Sequence, residues 1–251
     1  MKKHFTQALL SSIFIINNVY AITCTKIEAD TKCNDMGYTC TAEQCSGAST
    51  LSCPLDLSKK FCFGKPVECT VGSLLYKDLQ CYNTTCGAER AIGVVFDATN
   101  RLAISRAYSW LPWASSNTNI SSLTDCSTAD TAKTTCNTSG KTNSQTITSL
   151  GGDYINSSYA PGWCYNRTTG GVTKGSWFLP SIKEWTTIYN NKTAIGNAMS
   201  LAGGEYFTNR RHWSSNEKDA SNVWVLYMYD GTINTRIRAS DSVNVRCAIK
   251  Y

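Results

Sequence analysis

The sequence predicts a mixed α+β domain preceded by a disulfide-rich N-terminal region. Three observations carry that expectation. Nine of the 13 cysteines fall between Cys24 and Cys86, in a chain of 251 residues. All seven tryptophans lie beyond residue 88. Within that tryptophan-rich stretch, strand-like segments stand at both ends and two helix-like segments stand between them.

The N-terminus reads as a targeting signal. Lys2 and Lys3 precede a mostly apolar run from Ala8 to Ile16, and Val19-Tyr20-Ala21 supplies a cleavage-site pattern. The run is about half the ~20 residues needed to span a bilayer, and no later stretch reaches that length. Residues 1–21 are therefore expected to be a signal peptide, with no transmembrane segment after it. The product would be secreted or held at the cell surface, with the periplasm as a further destination. Removing those residues leaves 22 Lys and Arg against 18 acids, a net charge of +4. Such a charge does not call for a nucleic-acid partner.

Residues 22–88 read as a cysteine-rich module of two related units. Cys24, Cys33 and Cys40 have the same spacing as Cys53, Cys62 and Cys69. A chain exported to an oxidising compartment forms disulfides, and zinc sites favour close CxxC pairs, of which this region has none. Cys86 is the candidate for the odd thiol. The tryptophan-rich domain then runs from 89 to 251, since large aromatic side chains define a core without staples.

In that domain AIGVVFD (91–97) and RLAIS (101–105) read as two strands around a turn. Residues 115–146 are rich in Ser, Thr, Asn and Asp and read as loop with one short helix, clipped by Cys126 and Cys136. Ser181-Ile182-Lys183-Glu184 is a capping box opening a helix whose apolar stripe is Ile182, Trp185 and Ile188. Asn190 and Asn191 end it. A second helix over about 193–202 stops at Gly203-Gly204. The last fifty residues read as β-structure with a hairpin at Asp230-Gly231.

The ordered set GSWFLPSIKEWTTIYNN (175–191), HWSSNE (212–217), VWVLYMYDG (223–231) and VRCAIKY (245–251) resembles bacterial C-type-lectin-like domains. These occur at the C-termini of collagen-like adhesins and in exported variable proteins diversified by retroelements. The resemblance covers about 91–251. It implies two helices on a small, twisted antiparallel sheet with long loops, and a binding role without catalysis. It also implies a Cys164–Cys247 disulfide. The expected ligand is a protein or glycan on another cell, phage or host. The calcium-binding elements of sugar-binding lectins are missing, and calcium needs six to eight oxygen ligands. Neither a metal nor a cofactor is expected.

Strand alternation selects candidate ligand-binding residues. Trp224, Leu226 and Met228 share one face of a strand and read as core, while Val225, Tyr227 and Tyr229 share the other. After the turn, Asn234, Arg236 and Arg238 alternate with Ile233, Thr235 and Ile237. Tyr and Arg concentrate binding energy at interfaces and Asn adds adaptable hydrogen bonding, so this hairpin face is the candidate surface. Asn209, Arg210, Arg211 and His212 form a polar cluster expected to line the same surface; ordinary solvated residues are the competing reading of both groups.

Catalysis is the weaker expectation. His212 is the only histidine left after cleavage and no nucleophile is identifiable beside it. Asp153, Glu184, Glu205 and Glu217 are the carboxylates an exported hydrolase would draw on. A structural surface or pilus-associated component without a soluble ligand is the alternative function.

Overall fold

The computed structural model describes residues 66–82, 88–207 and 210–251, with the backbone of 20–24 and 49–53. Residues 1–19 of the expected signal peptide (1–21), most of the expected cysteine-rich module, Cys86 and Asn209 lie outside the described residues. Strands β1 (Tyr20–Cys24) and β2 (Ser49–Cys53) pair antiparallel.

The main sheet has ten strands. They are β3 (Pro66–Val67), β4 (Leu74–Leu75), β5 (Cys81–Tyr82), β6 (Gly93–Asp97), β7 (Leu102–Trp110), β8 (Trp177–Phe178), β9 (Arg211–Glu217), β10 (Asn222–Tyr227), β11 (Ile233–Ile237) and β12 (Asn244–Lys250). Their order is β11-β10-β9-β12-β7-β6-β4-β5-β3, with β8 added to β12. Pairings are antiparallel except a single parallel contact between Asn244 and His212. Residues 66–82, which cysteine spacing assigns to the N-terminal module, join this sheet: Leu74 pairs with Val94 and a Cys69–Cys81 disulfide closes their turn.

Among the described residues, five α-helices accompany the sheet: α1 (Ala129–Thr134), α2 (Gly140–Thr148), α3 (Ala160–Tyr165), α4 (Ile182–Asn190) and α5 (Lys192–Leu201). The segment expected to be mostly loop thus holds two of them, α1 and α2. Helix α4 starts where its capping box predicts. The Ser181 hydroxyl accepts from the Glu184 amide at 3.2 Å, and the Ser181 amide donates to the Glu184 carboxylate at 2.8 Å. Helix α5 ends in a glycine cap: the Gly204 amide reaches back to the Met199 carbonyl at 2.8 Å, with Gly203 at φ +63°.

Both faces of the sheet are covered. On one, α4 and α5 bury Ile182, Trp185, Ile188, Ile195 and Met199 against Val94, Ile104, Trp224, Leu226 and Ala248. On the other, α2, α3 and the 113–123 loop pack Trp113, Ile120, Ile147 and Ala160 against Val95, Val223, Val225 and Val245. Indole N–H groups tie this assembly together, because a buried Trp needs an acceptor. Trp113 donates to the Ser214 carbonyl, Trp185 to Trp213, Trp213 to Leu111 and Trp224 to Cys126, all within 2.8–3.0 Å. The disulfides Cys126–Cys136 and Cys164–Cys247 are both present.

Candidate functional site

The hairpin of β10 and β11 forms one end of the sheet, and its register sets which side chains meet. Val225 pairs with Asn234, Val223 with Arg236, and Tyr227 with Arg211 on β9. Directly paired side chains project to the same face. Arg211, Tyr227, Asn234 and Arg236 therefore share one side, beyond the point where the 113–123 loop covers it. Between the strands, Gly231 takes φ +79° and donates to the Tyr227 carbonyl at 2.9 Å, while the Thr232 amide is held by Asp230. Of the Asp230-Gly231 pair, only Gly231 adopts positive φ.

The exposed set is compact. Tyr229 is 62 % exposed, and its ring centroid lies 6.0 Å from that of half-buried Tyr227. The Arg211 guanidinium lies over the Tyr227 ring at 5.4 Å, a cation–π contact. Burial, and then the charge of Arg211, hold the Arg236 guanidinium below its ordinary pKa. Two cations and two phenols, on the edge hairpin and the adjoining start of β9, offer a surface suited to aromatic stacking and to bidentate contacts with an anionic or carbonyl-rich partner. Beside it, Arg210 lies 4.8 Å over the ring of Trp110, which is 38 % exposed.

Three candidate residues sit elsewhere. Val225 is 1 % exposed and belongs to the second core, because the sheet is covered on both faces. Arg238 follows the last residue of β11 and turns inward, leaving Ile237 outside at 59 % exposure. Its guanidinium pairs with Glu217, donates to the Asp219 carbonyl at 3.1 Å and lies 4.8 Å over the Trp113 ring. His212 stands on a central strand with its ring 4.5 Å from that of Trp185. Neither ring nitrogen has a hydrogen-bond partner, and burial holds its pKa well below the ordinary histidine value. These three are parts of the interior and do not belong to the exposed set.

The candidate carboxylates are separately occupied. Asp153 accepts from the Ser115 amide and hydroxyl. Glu217 is the buried partner of Arg238, its pKa raised by burial against the pull of that charge. Glu184 accepts from the Ser181 amide and from the Gly140 amide at 3.0 Å, joining the starts of α4 and α2. Burial pushes its pKa up to about 7. Glu205 lies near the Tyr108 hydroxyl and its carboxylate raises the pKa of that phenol. Among the described residues, no cluster of three or more His, Cys, Asp or Glu is placed to hold a metal ion, and no helix is long and apolar enough to cross a membrane.

No protein-family model matches the chain, and no curated protein sequence matches it. Among solved structures, the fold is similar to that of a fimbrial protein from Bacteroides ovatus, with a TM-score of 0.52 at 12 % identity. The match covers 72 % of this chain and 49 % of that one, so it spans about half the length of the fimbrial protein. At this identity the likeness concerns the fold alone, which in this chain is a mixed α+β architecture with a large sheet and short helices.

Proposed function

We propose that this chain is an exported surface component that works in or on a fimbria-like assembly. The observation that carries the reading is the fold held in common with a fimbrial protein over 72 % of the chain. The disulfides and the signal-like N-terminus support it, since bridges persist in oxidising compartments. Its role is binding and assembly, with no catalytic step. In situ crosslinking on intact cells, followed by identification of the crosslinked chains, tests it. Defined assembly partners in a surface fraction are expected, and a protein recovered free in the cytoplasm would overturn the reading.

A second reading, recognition of a ligand by a C-type-lectin-like domain, is favoured by one feature. Tyr227, Tyr229, Asn234, Arg211 and Arg236 converge on an exposed hairpin end without serving the core. The triple change Tyr227→Ala, Tyr229→Ala and Arg236→Ala should then abolish capture of target cells while moving the melting temperature by only a degree or two, as surface substitutions do. Retained capture would remove this face from the reading. Diversification by a retroelement is the finest level of the proposal; a reverse-transcriptase gene and a near-copy of the 3′ coding segment beside the gene would support it.

A further inference from the structure

A cleft of about 720 Å³ lies away from the hairpin, and none of the five exposed hairpin residues lines it. Its walls carry Lys77, Arg90, Arg106 and Arg167, and Glu205 is the one carboxylate among its lining residues. We propose that this cleft binds an acidic sugar, a carboxylate- or sulfate-bearing unit of a surface or matrix glycan.

Charge is the first argument. Arg167 lies over the Trp163 and Trp177 rings at 5.4 and 5.1 Å, and its Nε–H is buried with no acceptor. Its neighbouring charge is another cation: burial, and then Arg106, lower its pKa. Arg246, bonded to the Ser105 and Glu205 carbonyls, has its pKa lowered to about 10 by burial; the Glu205 carboxylate favours its charge and Arg167, more weakly, opposes it. An anion arriving beside Arg167 would give its unpartnered Nε–H a charge-assisted hydrogen bond.

Shape is the second. A single phosphate or sulfate leaves most of this volume empty, whereas pockets of roughly 300–1,000 Å³ enclose ligands of two or three rings. The rims are loops with glycine at 170–171 and 203–204; the amides of Gly171, Gly203 and Gly204 are bonded to the Thr168, Ser200 and Met199 carbonyls, so these glycines act by leaving the cleft mouth free of side chains. Gly170 has φ +87°, and a Cβ there would stand 2.9 Å from the Ile92 side chain on the cleft floor. Nucleic acid binding uses exposed aromatic platforms for base stacking, but the cleft's tyrosine, Tyr76, is fully buried.

Preorganisation is the third. The Cys69–Cys81 disulfide closes the turn that carries Lys77. Cys164–Cys247 fixes α3 to β12, and the Arg167 amide bonds to the Cys164 carbonyl at 3.2 Å. The segments that carry Lys77 and Arg167 are thus covalently braced before a ligand arrives, which lowers the entropy lost on binding.

The test is calorimetric titration of the oxidised protein with trigalacturonate and a heparin-derived tetrasaccharide. Maltotriose, a ten-nucleotide oligothymidylate, inorganic phosphate and phosphatidylglycerol vesicles serve as comparisons. Both acidic sugars should bind with Kd below about 1 mM and weaken as salt rises, while maltotriose does not bind. Lys77→Glu and Ala107→Glu alter exposed positions on the lining, so the fold is retained; each should weaken sugar binding by at least about fivefold. Quenching of Trp163 fluorescence, read against Trp163→Phe, gives an independent signal. Failure of both acidic sugars to bind, or binding indifferent to the two variants, would overturn the proposal. Equal, variant-sensitive binding of the oligonucleotide, phosphate or vesicles would overturn the assignment to sugar.

Discussion

Arg236 and Arg238 are two residues apart, and the structure gives them opposite fates on substitution by alanine. Arg238 and Glu217 form an ion pair with both side chains fully buried. Removing the guanidinium leaves the Glu217 carboxylate with the Ile120 amide, at 3.4 Å, as its remaining donor. Breaking one partner out of a buried pair costs about 3–5 kcal/mol, because the surviving charge stays desolvated. Loss of the contact with the Trp113 ring acts in the same direction. Arg236 is half-buried and donates to the carbonyl of its neighbour Thr235. Its removal should cost less than about 1 kcal/mol.

Urea denaturation of each variant with disulfides intact, followed by tryptophan fluorescence, measures both changes against an unchanged m-value. The pH dependence identifies the cause. In Arg238→Ala the Glu217 pKa rises further, so the folded state takes up a proton more readily than the unfolded chain. Its stability deficit should therefore shrink as pH falls from 7 towards 4.5. Replacing both partners at once, as Arg238→Met with Glu217→Leu, should recover most of the loss, since apolar isosteres of buried pairs are often neutral. An Arg238→Ala cost below about 1 kcal/mol, equal to that of Arg236→Ala, would refute the buried-pair argument and return Arg238 to the exposed face.

Three further outcomes follow from the same interior. Glu184 has a folded pKa of about 7 against an ordinary value of 4.5, so its stabilising contribution is present below pH 4.5 and is lost as pH rises through 7. Thermal melts of the wild type and Glu184→Gln at pH 5 and pH 8 should show a relative gain for the wild type at pH 5, up to about 3 kcal/mol; a pH-independent difference would contradict the shift. His212 acts with the opposite sign, losing stability below pH 6.5, but it is common to both proteins and cancels. A Cβ on Gly140 would stand 2.6 Å from the Leu179 carbonyl and 2.7 Å from the Ser181 amide, so Gly140→Ala should cost about 1–3 kcal/mol by chemical denaturation. Replacing Cys164 and Cys247 by serine opens a loop with a sequence separation of 83 and should lower stability by about 4–5 kcal/mol in the chain-entropy model, measured by the same method.

Local signals were legible wherever the chemistry is local. The Ser181–Glu184 box, the Ile182-Trp185-Ile188 stripe, the Gly203-Gly204 stop and the Cys126–Cys136 clip each involve residues close in sequence, and each stands in the structure. Alternation also placed Trp224, Leu226 and Met228 on one core face. It could not say what covers the opposite face. That cover comes from the 113–123 loop and α3, at least about 100 and 60 residues away from Val225 respectively; the loop's polar composition hides its role, and α3 is six residues long, too short to show a helical period. Trp113 holds the loop in place through the Ser214 carbonyl, a contact without any sequence pattern. The same ignorance of distant partners put Arg238 with Arg236, and His212 with Arg211.

The double cover has a consequence for recognition. In the run from His212 to Glu217 every residue is buried, and its polar side chains are largely committed to the interior. Asn216 alone accepts from the Ile182 amide and donates to the Cys136 and Asn137 carbonyls, linking α4 to the disulfide-clipped loop. A substitution there breaks a satisfied buried network, so this segment has little freedom to vary. Freedom returns only where the cover stops, at Arg211, Tyr227, Tyr229, Asn234 and Arg236. Edge strand β11 makes that boundary sharp: it pairs with β10 alone, so its side chains change without disturbing a second neighbour. A fold arranged this way keeps its stability in residues other than this exposed set. If the hairpin end is the recognition face proposed above, it can therefore change while the core does not.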